Sequence, residues 1–191
     1  KAAYSAMRER SIGLGAMGFH SYLQRNNIPF ESMYAASFNN KAFSFIKNSA
    51  ETATRKLAEE KGEAPDMKGS GKRNAHLLAI APNASSSIIC GGTSPSIEPN
   101  RANVYTHKTL SGSFKVKNKY LDDILYELVS TGKKRDEIWK DIAAHEGSVQ
   151  HLDILPDDVK EVFKTAPEIN QIWIIEHASM RQKYVCQSQS V

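Results

Sequence analysis

The sequence predicts a single, helix-rich α/β domain. Three observations support this fold class: a long amphipathic helix pattern over residues 30–61, an uncharged apolar strand over 77–81 that runs into a turn and a short helix, and a hairpin pattern over 104–116. The 191 residues are enough for one domain with a sizeable core. Because there is no internal repeat and no low-complexity linker, we predict one domain over residues 1–191.

Composition and charge exclude several classes of protein. The chain is 40% hydrophobic and 24% charged, and its net charge of +4 includes no run of like charges typical of a nucleic-acid-binding tail. It has no apolar run of membrane-spanning length, and Lys1–Arg10 is too charged for a secretory signal. Its two cysteines, Cys90 and Cys186, lack zinc or redox spacing. We therefore expect a cytoplasmic protein without direct nucleic-acid or membrane contacts, with both cysteines as small buried residues.

The first 25 residues have a mostly helical pattern that contains an apparent nucleotide motif. Gly13–Gly18 matches the dinucleotide fingerprint Gly-x-Gly-x-x-Gly letter for letter. That fingerprint requires a buried strand just before it and an acidic residue about 20 residues later, whereas Met7–Arg10 is charged and no second strand ends in an acid. We therefore predict that Gly13–Gly18 is helical, packs closely against a neighbour and contacts no nucleotide.

A turn at residues 26–29 precedes one long predicted helix over 30–61. Glu31 and Ser32 suit its first turn, and Gly62 is a candidate C-cap. Its apolar face comprises Phe38, Ala42, Phe45, Ile46, Ala50, Ala53 and Leu57. The three phenylalanines Phe38, Phe43 and Phe45 are predicted to lie in the core rather than to stack on bases. The polar stretch 63–73 is predicted to be an exposed connection.

The stretch 76–92 is predicted to be a buried strand, a tight turn and a short helix. Leu77–Ala81 is apolar, and Pro82 ends the strand because it has no N–H for a ladder. Asn83–Ser87 favours a helix start, where unpaired N–H groups and serine hydroxyls can bind a phosphate. It is not a Walker motif, because no Gly-Lys-Ser/Thr follows. From the residues alone, a plain capped helix after a strand is the simpler interpretation.

The remaining elements follow in order. Thr93–Arg101 is predicted to be a loop, in which Glu98 is either a general base or, more commonly for such a residue, a solvated or capping carboxylate. The hairpin is predicted to turn at 111–113. Four helices are then predicted over 118–129 (ended by Thr131-Gly132), 135–145, 156–165 and 168–183, with a strand over 184–191.

Four motifs in fixed order resemble the large (alpha) subunit of class I ribonucleotide reductase. The motif sequences are most similar to those of phage-type members of the family. They are Arg10–Gly18, Ala81–Ser87 together with Ser96–Pro99, Val104–Gly112 and Gln187–Ser190. The resemblance covers essentially the whole chain. It implies a helix-rich fragment of that family's ten-stranded α/β barrel, from the C-terminal part of the catalytic barrel.

The resemblance also implies a substrate site at the Pro-x-x-Ser/Thr-Ser/Thr turn, which holds the substrate's diphosphate in that family. Carried over residue by residue, the substrate-binding residues are Asn83, Ala84, Ser85, Ser86 and Ser87. Backbone N–H groups of residues 84–87 and the side chains of Asn83, Ser85 and Ser86 are expected to grip the diphosphate. Some relatives have Glu where this chain has Ala84, so that carboxylate contact is not carried over.

The rest of the implied reaction lies outside these residues. The family reduces ribonucleoside diphosphates by radical chemistry, and its catalytic residues match no position of this segment, nor is a metal ligand implied here. The complete enzyme is expected to need the remainder of the large subunit, a small (beta) subunit with a di-metal tyrosyl radical, a thioredoxin or glutaredoxin reductant, and ATP or dNTP effectors. This chain is therefore expected to be an inactive piece of a longer polypeptide. The alternative hypothesis is a non-catalytic helical interaction module.

Overall fold

A computed structural model describes residues 1–110 and 112–191 of the chain. Ser111, within the predicted hairpin turn, lies outside the described residues. In these ranges the regular elements are eight α-helices, one short 3₁₀ turn and one two-stranded hairpin. Their bounds are α1 Ala2–Glu9, α2 Phe19–Arg25, α3 Met33–Lys61, the 3₁₀ turn Pro65–Met67, α4 Ala84–Ile89, β1 Val104–Thr109, β2 Gly112–Lys117, α5 Lys119–Leu128, α6 Gly132–Ala144, α7 Asp157–Val162 and α8 Gln171–Gln182.

Three extended segments run parallel to one another in the core. The middle segment, 77–80, pairs with 12–14 on one side and with 187–190 on the other, through the bridges Leu14–Leu78 and Ile80–Gln189. Its backbone donates and accepts on both sides, for example from the Ala79 N–H to the Leu14 carbonyl (3.2 Å) and from the Ile80 N–H to the Ser188 carbonyl (3.1 Å). The predicted strand at 77–81 is thus an extended core segment, and the C-terminal segment pairs with it.

The prediction of helix over Gly13–Gly18 is wrong. Helix α1 ends at Glu9 with Arg10 in a left-handed conformation (φ 51°), and the chain then becomes extended. Each glycine costs about 1 kcal/mol in a helix relative to alanine. The backbone of this stretch instead bonds to the middle segment, with the Leu14 N–H donating to the Leu77 carbonyl at 2.8 Å.

The long helix α3 begins and ends with the residues expected from the sequence. The Ser32 hydroxyl accepts the Ala35 N–H at 3.1 Å, and Gly62 ends the helix with φ 79°. Phe43 is buried and Phe38 packs against the core, but Phe45 is 73% exposed, so its core prediction is wrong. Two positions along a helix turn the side chain by roughly 200°, which places Phe45 on the face opposite Phe43. No helix in the described ranges has the length and apolarity that crossing a bilayer requires.

The hairpin and the C-terminal helices follow the predicted order with shifted ends. The antiparallel strands β1 and β2 pair Val104 with Lys117 and Thr109 with Gly112. Helix α5 starts after Asn118, whose side chain accepts the Tyr120 N–H. Thr131-Gly132 does not end α5 as predicted; it starts α6, because threonine and glycine are also favourable at helix N-termini.

Two hydrophobic clusters form the core, and polar side chains connect them. One cluster gathers around α2, α3, α8 and the middle segment. The other is formed by α5, α6, α7 and the loop between α6 and α7, together with Val104. Gln24 of the first accepts hydrogen bonds from Asn100 (3.1 Å) and Asn118 (3.0 Å), and Asn118 also donates to Asn103 at 2.9 Å. These hydrogen bonds form a seam that joins the two clusters, while the buried Gln24 Nε2 has no hydrogen-bond partner within the described residues.

His20 lies at the same seam and is fully buried. Its Nδ1 accepts the Asn100 backbone N–H at 2.8 Å, and its ring meets Phe30 edge-on with centroids 5.5 Å apart. Burial away from water disfavours the imidazolium and lowers the pKa of His20 to about 3. His20 is therefore a neutral structural histidine.

We expect His20 to make the fold sensitive to acid. Its folded-state pKa lies below the unfolded value of about 6.5, so between about pH 3 and 6.5 the unfolded chain binds more protons. The stability that depends on neutral His20 is present above about pH 6.5 and falls by up to about 1.4 kcal/mol per pH unit below it. His20→Asn, which retains an acceptor for the Asn100 N–H, should flatten this slope in urea unfolding between pH 4 and 7.

The exposed His76 offers a matched control, because His76→Asn should leave the slope unchanged. The other buried histidine, His177, is present in all three proteins and cancels in the comparison. An equal slope in wild type and His20→Asn would show that His20 does not titrate between the folded and unfolded states.

Candidate functional site

The predicted site residues lie where the parallel segments reach their carboxyl ends. The middle segment ends at Pro82, and the chain turns there into α4. Beside it, the neighbouring segments continue into Gly15–Gly18 and into Ser190. Three of the sequence motifs therefore meet at one edge. The carboxyl ends of parallel strands are the usual place for ligands in open α/β sheets and barrels.

Helix α4 presents its N-terminus at this edge. Asn83 precedes it in a left-handed conformation (φ 54°, ψ 29°), and the Ser87 N–H bonds to the Asn83 carbonyl at 3.0 Å. The N–H groups of residues 84–86 precede this first helical bond, and the Asn83 side chain does not cap them in the described structure. A helix start of this kind carries a partial positive charge and donors suited to an anion.

The three serines of the turn differ in their surroundings. Ser85 and Ser86 are exposed, so their hydroxyls can reach a ligand. Ser87 is buried, and its hydroxyl donates to the Ala84 carbonyl at 2.7 Å. The structure thus brings Asn83, Ala84, Ser85 and Ser86 together at an open helix start, while the Ser87 side chain closes the first turn from inside.

The glycines of residues 13–18 allow the first segment to approach the middle one closely. A Cβ on Gly15 would lie 2.9 Å from the Ala79 carbonyl oxygen, and a Cβ on Gly13 would lie 3.3 Å from the Ala79 Cβ. Gly18 has φ 82°, and its Cβ would lie 2.5 Å from the Thr93 hydroxyl. The predicted close packing is confirmed, although it occurs between extended segments and not in a helix.

A buried arginine, which the sequence analysis missed, fixes the third of the parallel segments, residues 187–190. Arg181 is 1% exposed; it donates to the Gln189 side chain (2.9 Å) and to the Asn39 side chain (3.0 Å), and it lies over the Phe43 ring. Burial lowers the pKa of Arg181 to about 10, so it stays charged at neutral pH. Gln189 pairs with Ile80 of the middle segment, so Arg181 positions the strand beside the turn. One sequence signal could have indicated this burial. His177 and Arg181 are four positions apart, so they share one face of α8, and both are buried.

The prediction that both cysteines are buried is wrong. Cys90 follows α4 at its exposed C-terminal end, and Cys186 is exposed beside the buried Val185. Cys186 lies in a bend just before the paired stretch 187–190, which leaves the residue exposed while its sulfur lies against the middle segment. The Cys186 sulfur still accepts the Leu77 N–H at 3.1 Å.

A cavity of about 720 Å³ adjoins α4. Ala84, Ser87 and Ile88 line it, together with residues of the loop after α4 and of the loops near His145 and Glu168. Two of the predicted site residues, Ala84 and Ser87, thus line this cavity, whereas Ser85 and Ser86 do not. Glu98 lies partly buried in the loop between α4 and β1, and its N–H bonds to the Pro95 carbonyl.

Comparison with known proteins matches the whole length of the chain to one family. The family model described as "Ribonucleotide reductase, barrel domain" matches residues 1–70 and 65–191. The chain is 50% identical to a ribonucleoside-diphosphate reductase large subunit of Invertebrate iridescent virus 3, over all of this chain and 30% of that protein. It is 49% identical to the putative large subunit of Frog virus 3, over all of this chain and 33% of the relative.

A solved structure shares the fold. The class Id ribonucleotide reductase alpha subunit of Actinobacillus ureae superposes with a TM-score of 0.89 at 44% identity, over 98% of this chain and 34% of that one. The chain thus spans about a third of the length of these relatives. Its helices and paired segments form a helix-rich part of an α/β barrel, as predicted.

We expect Gly15→Ala to destabilise the chain. The added Cβ would meet a backbone oxygen at 2.9 Å, so the two segments would have to separate. Overpacking of this kind costs about 1–3 kcal/mol. The measurement is the free energy of unfolding in urea.

Gly132→Ala is the matched control, since a Cβ there would find its nearest atom at 3.9 Å at the start of α6. This variant should stay within about 1 kcal/mol of wild type. Equal stability of the two variants would mean that close approach at Gly15 does not hold the segments together.

Proposed function

The chain belongs to the ribonucleotide reductase family as part of its barrel domain, and on this premise we propose that it holds the diphosphate of a ribonucleoside diphosphate substrate. The proposed holder is the turn from Asn83 to Ser86 with the start of α4. The observation that carries the proposal is the exposed helix start at the carboxyl ends of the parallel segments. In the complete large subunit, this grip would present the ribose to radical chemistry performed by residues elsewhere.

Backbone donors make the main contribution in this proposal. The N–H groups of residues 84–86 precede the first hydrogen bond of α4, so they can donate to phosphate oxygens. Ala84 lacks the carboxylate that some relatives have at this position, so in this chain residue 84 contributes only its backbone N–H. The helix dipole adds a favourable interaction of about 0.3–1 kcal/mol with an anion.

The hydroxyls of Ser85 and Ser86 supply further donors from the exposed side of the turn. A hydrogen bond to a charged group contributes about 1.5–3 kcal/mol. Ser87 has a supporting role here, because its N–H and hydroxyl already bond within the turn. Direct contact of Ser87 with the diphosphate stays a prediction.

The surrounding packing keeps these donors in place before substrate arrives. Gly15 and the Arg181–Gln189 pair hold the outer segments against the middle segment, whose end is the turn itself. Orientation of a substrate by such a fixed site is worth several kcal/mol, with an upper range of about 7–11 kcal/mol. The contribution of this chain to the reaction is therefore positioning.

Other polypeptides supply the remaining steps of the proposed reaction. The reaction converts ribonucleotides to deoxyribonucleotides, and it requires the remainder of the large subunit and a small subunit that carries a di-metal tyrosyl radical. A thioredoxin or glutaredoxin supplies electrons, and ATP or dNTP effectors regulate the enzyme. None of these groups is assigned to residues of this chain.

We expect the double variant Ser85→Ala with Ser86→Ala to weaken substrate binding in the complete large subunit. Loss of two hydrogen bonds to a charged diphosphate should raise the Michaelis constant by about tenfold or more. The backbone donors remain, so binding should fall without vanishing. The melting temperature should change little, because both side chains are exposed. Steady-state kinetics and thermal unfolding measure the two effects.

Ser5→Ala provides a control at an exposed serine of α1, remote in sequence from the turn. Its Michaelis constant should equal that of wild type. If the double variant binds substrate normally and melts early, the two serines serve only to stabilise α4.

A further inference from the structure

A second group of polar side chains lies at the end of α6 and in the loop after it, where His145 lines the cavity that Ala84 and Ser87 also line. Asp141 stands on the last turn of α6, His145 follows the helix four residues later, and His151 projects from the next loop. The Asp141 carboxylate lies 3.2 Å from Nδ1 of His145 and 3.1 Å from Nε2 of His151. The two imidazole rings stack with centroids 3.8 Å apart. One ligand atom from each residue lies within 4.8 Å of the other two.

The backbone that carries these side chains is fixed by packing. Trp139 and Ile142 of α6 are buried on either side of Asp141 in the chain, and Val149 and Leu152 are buried on either side of His151. The helix and the loop are therefore both anchored in the second hydrophobic cluster.

The turn between them is equally constrained. The Gly147 N–H bonds to the Ile142 carbonyl at 2.8 Å, and its carbonyl accepts both the backbone and the side-chain N–H of Asn103. Gly147 has φ 87°, and a Cβ there would lie 2.5 Å from the Ala102 Cβ. His145 and His151 are thus brought together by a turn that tolerates little rearrangement.

We propose that Asp141, His145 and His151 bind a zinc ion. Imidazole and carboxylate ligands suit Zn²⁺, whereas Mg²⁺ and Ca²⁺ favour sites rich in oxygen ligands. Tetrahedral zinc with ligands at about 2.0–2.1 Å separates neighbouring ligand atoms by about 3.3 Å. The observed nitrogen-to-oxygen distances of 3.2 and 3.1 Å involve the two different oxygens of Asp141, and one ligand atom of each residue lies within 4.8 Å of the others. To bind one ion, the two imidazole rings would turn out of their stack so that both nitrogens point at it. Water completes the coordination.

The remaining histidines make a stoichiometry of one ion per chain the expected result. The sequence has six histidines. His20 and His177 are buried, and each has a ring nitrogen bonded to the backbone. His107 lies on β1, and His76 directly precedes the middle segment. Within the described residues, Asp141, His145 and His151 are the one group of three metal-ligating side chains that converges.

The test is a calorimetric titration of ZnCl₂ into the whole protein, purified without a histidine tag and treated with chelator. Wild type should bind one zinc ion per chain. His145→Asn and His151→Asn should each weaken binding more than about tenfold, since each removes a ligand. His76→Asn, at an exposed histidine outside the group, should bind like wild type. Circular dichroism of each variant verifies folding.

A second measurement needs no variant. Zinc should protect His145 and His151 of the wild-type protein from diethyl pyrocarbonate, as read by mass spectrometry, and leave His76 reactive. The proposal is overturned if wild type binds no zinc, if both ligand variants keep wild-type affinity, if His76→Asn loses affinity equally, or if zinc protects neither His145 nor His151.

Discussion

The pairing of the middle segment on both of its sides is the constraint on which the rest of the structure depends. Residues 77–80 are hydrogen-bonded to 12–14 and to 187–190, which come from the two ends of the chain. Leu77, Leu78 and Ile80 are buried in the same stretch. Because the three segments are parallel, their carboxyl ends coincide at one edge, and the turn into α4 is placed there. The open helix start of the candidate site is a direct result of this arrangement.

Two groups with unusual environments hold this arrangement in register. Gly15 lets backbones approach to a distance that any side chain would prevent, and Arg181 clamps Gln189 from the core side. A buried guanidinium without a carboxylate partner is costly unless its donors are satisfied, and here amide oxygens of Gln189 and Asn39 accept from it. The hydrogen bonds that Arg181 needs therefore hold α3, α8 and residues 187–190 together.

Local signals predicted much of the fold. Ser32 and Gly62 bound α3, and Pro82 followed by Asn83 marks the start of α4, because capping and strand-breaking act within a few residues. The hairpin and the acidic first turn of α7 were likewise evident. The failures have non-local causes. The partner of Gly13–Gly18 lies more than 60 residues away, and the burial of Arg181 depends on Asn39, so neither was visible in a short window.

The candidate site was predicted from four ordered motifs, and the structure adds the reason that three of them belong together. Residues 83–86 are adjacent in sequence, whereas their approach to Gly15–Gly18 and Gln187–Ser190 depends on the parallel pairing. The most direct test is a crystal structure of the complete large subunit with a ribonucleoside diphosphate bound. The account predicts phosphate oxygens within hydrogen-bonding distance of the N–H groups of residues 84–86 and of the Ser85 or Ser86 hydroxyl. A diphosphate held by other residues, with this helix start facing only solvent, would contradict it.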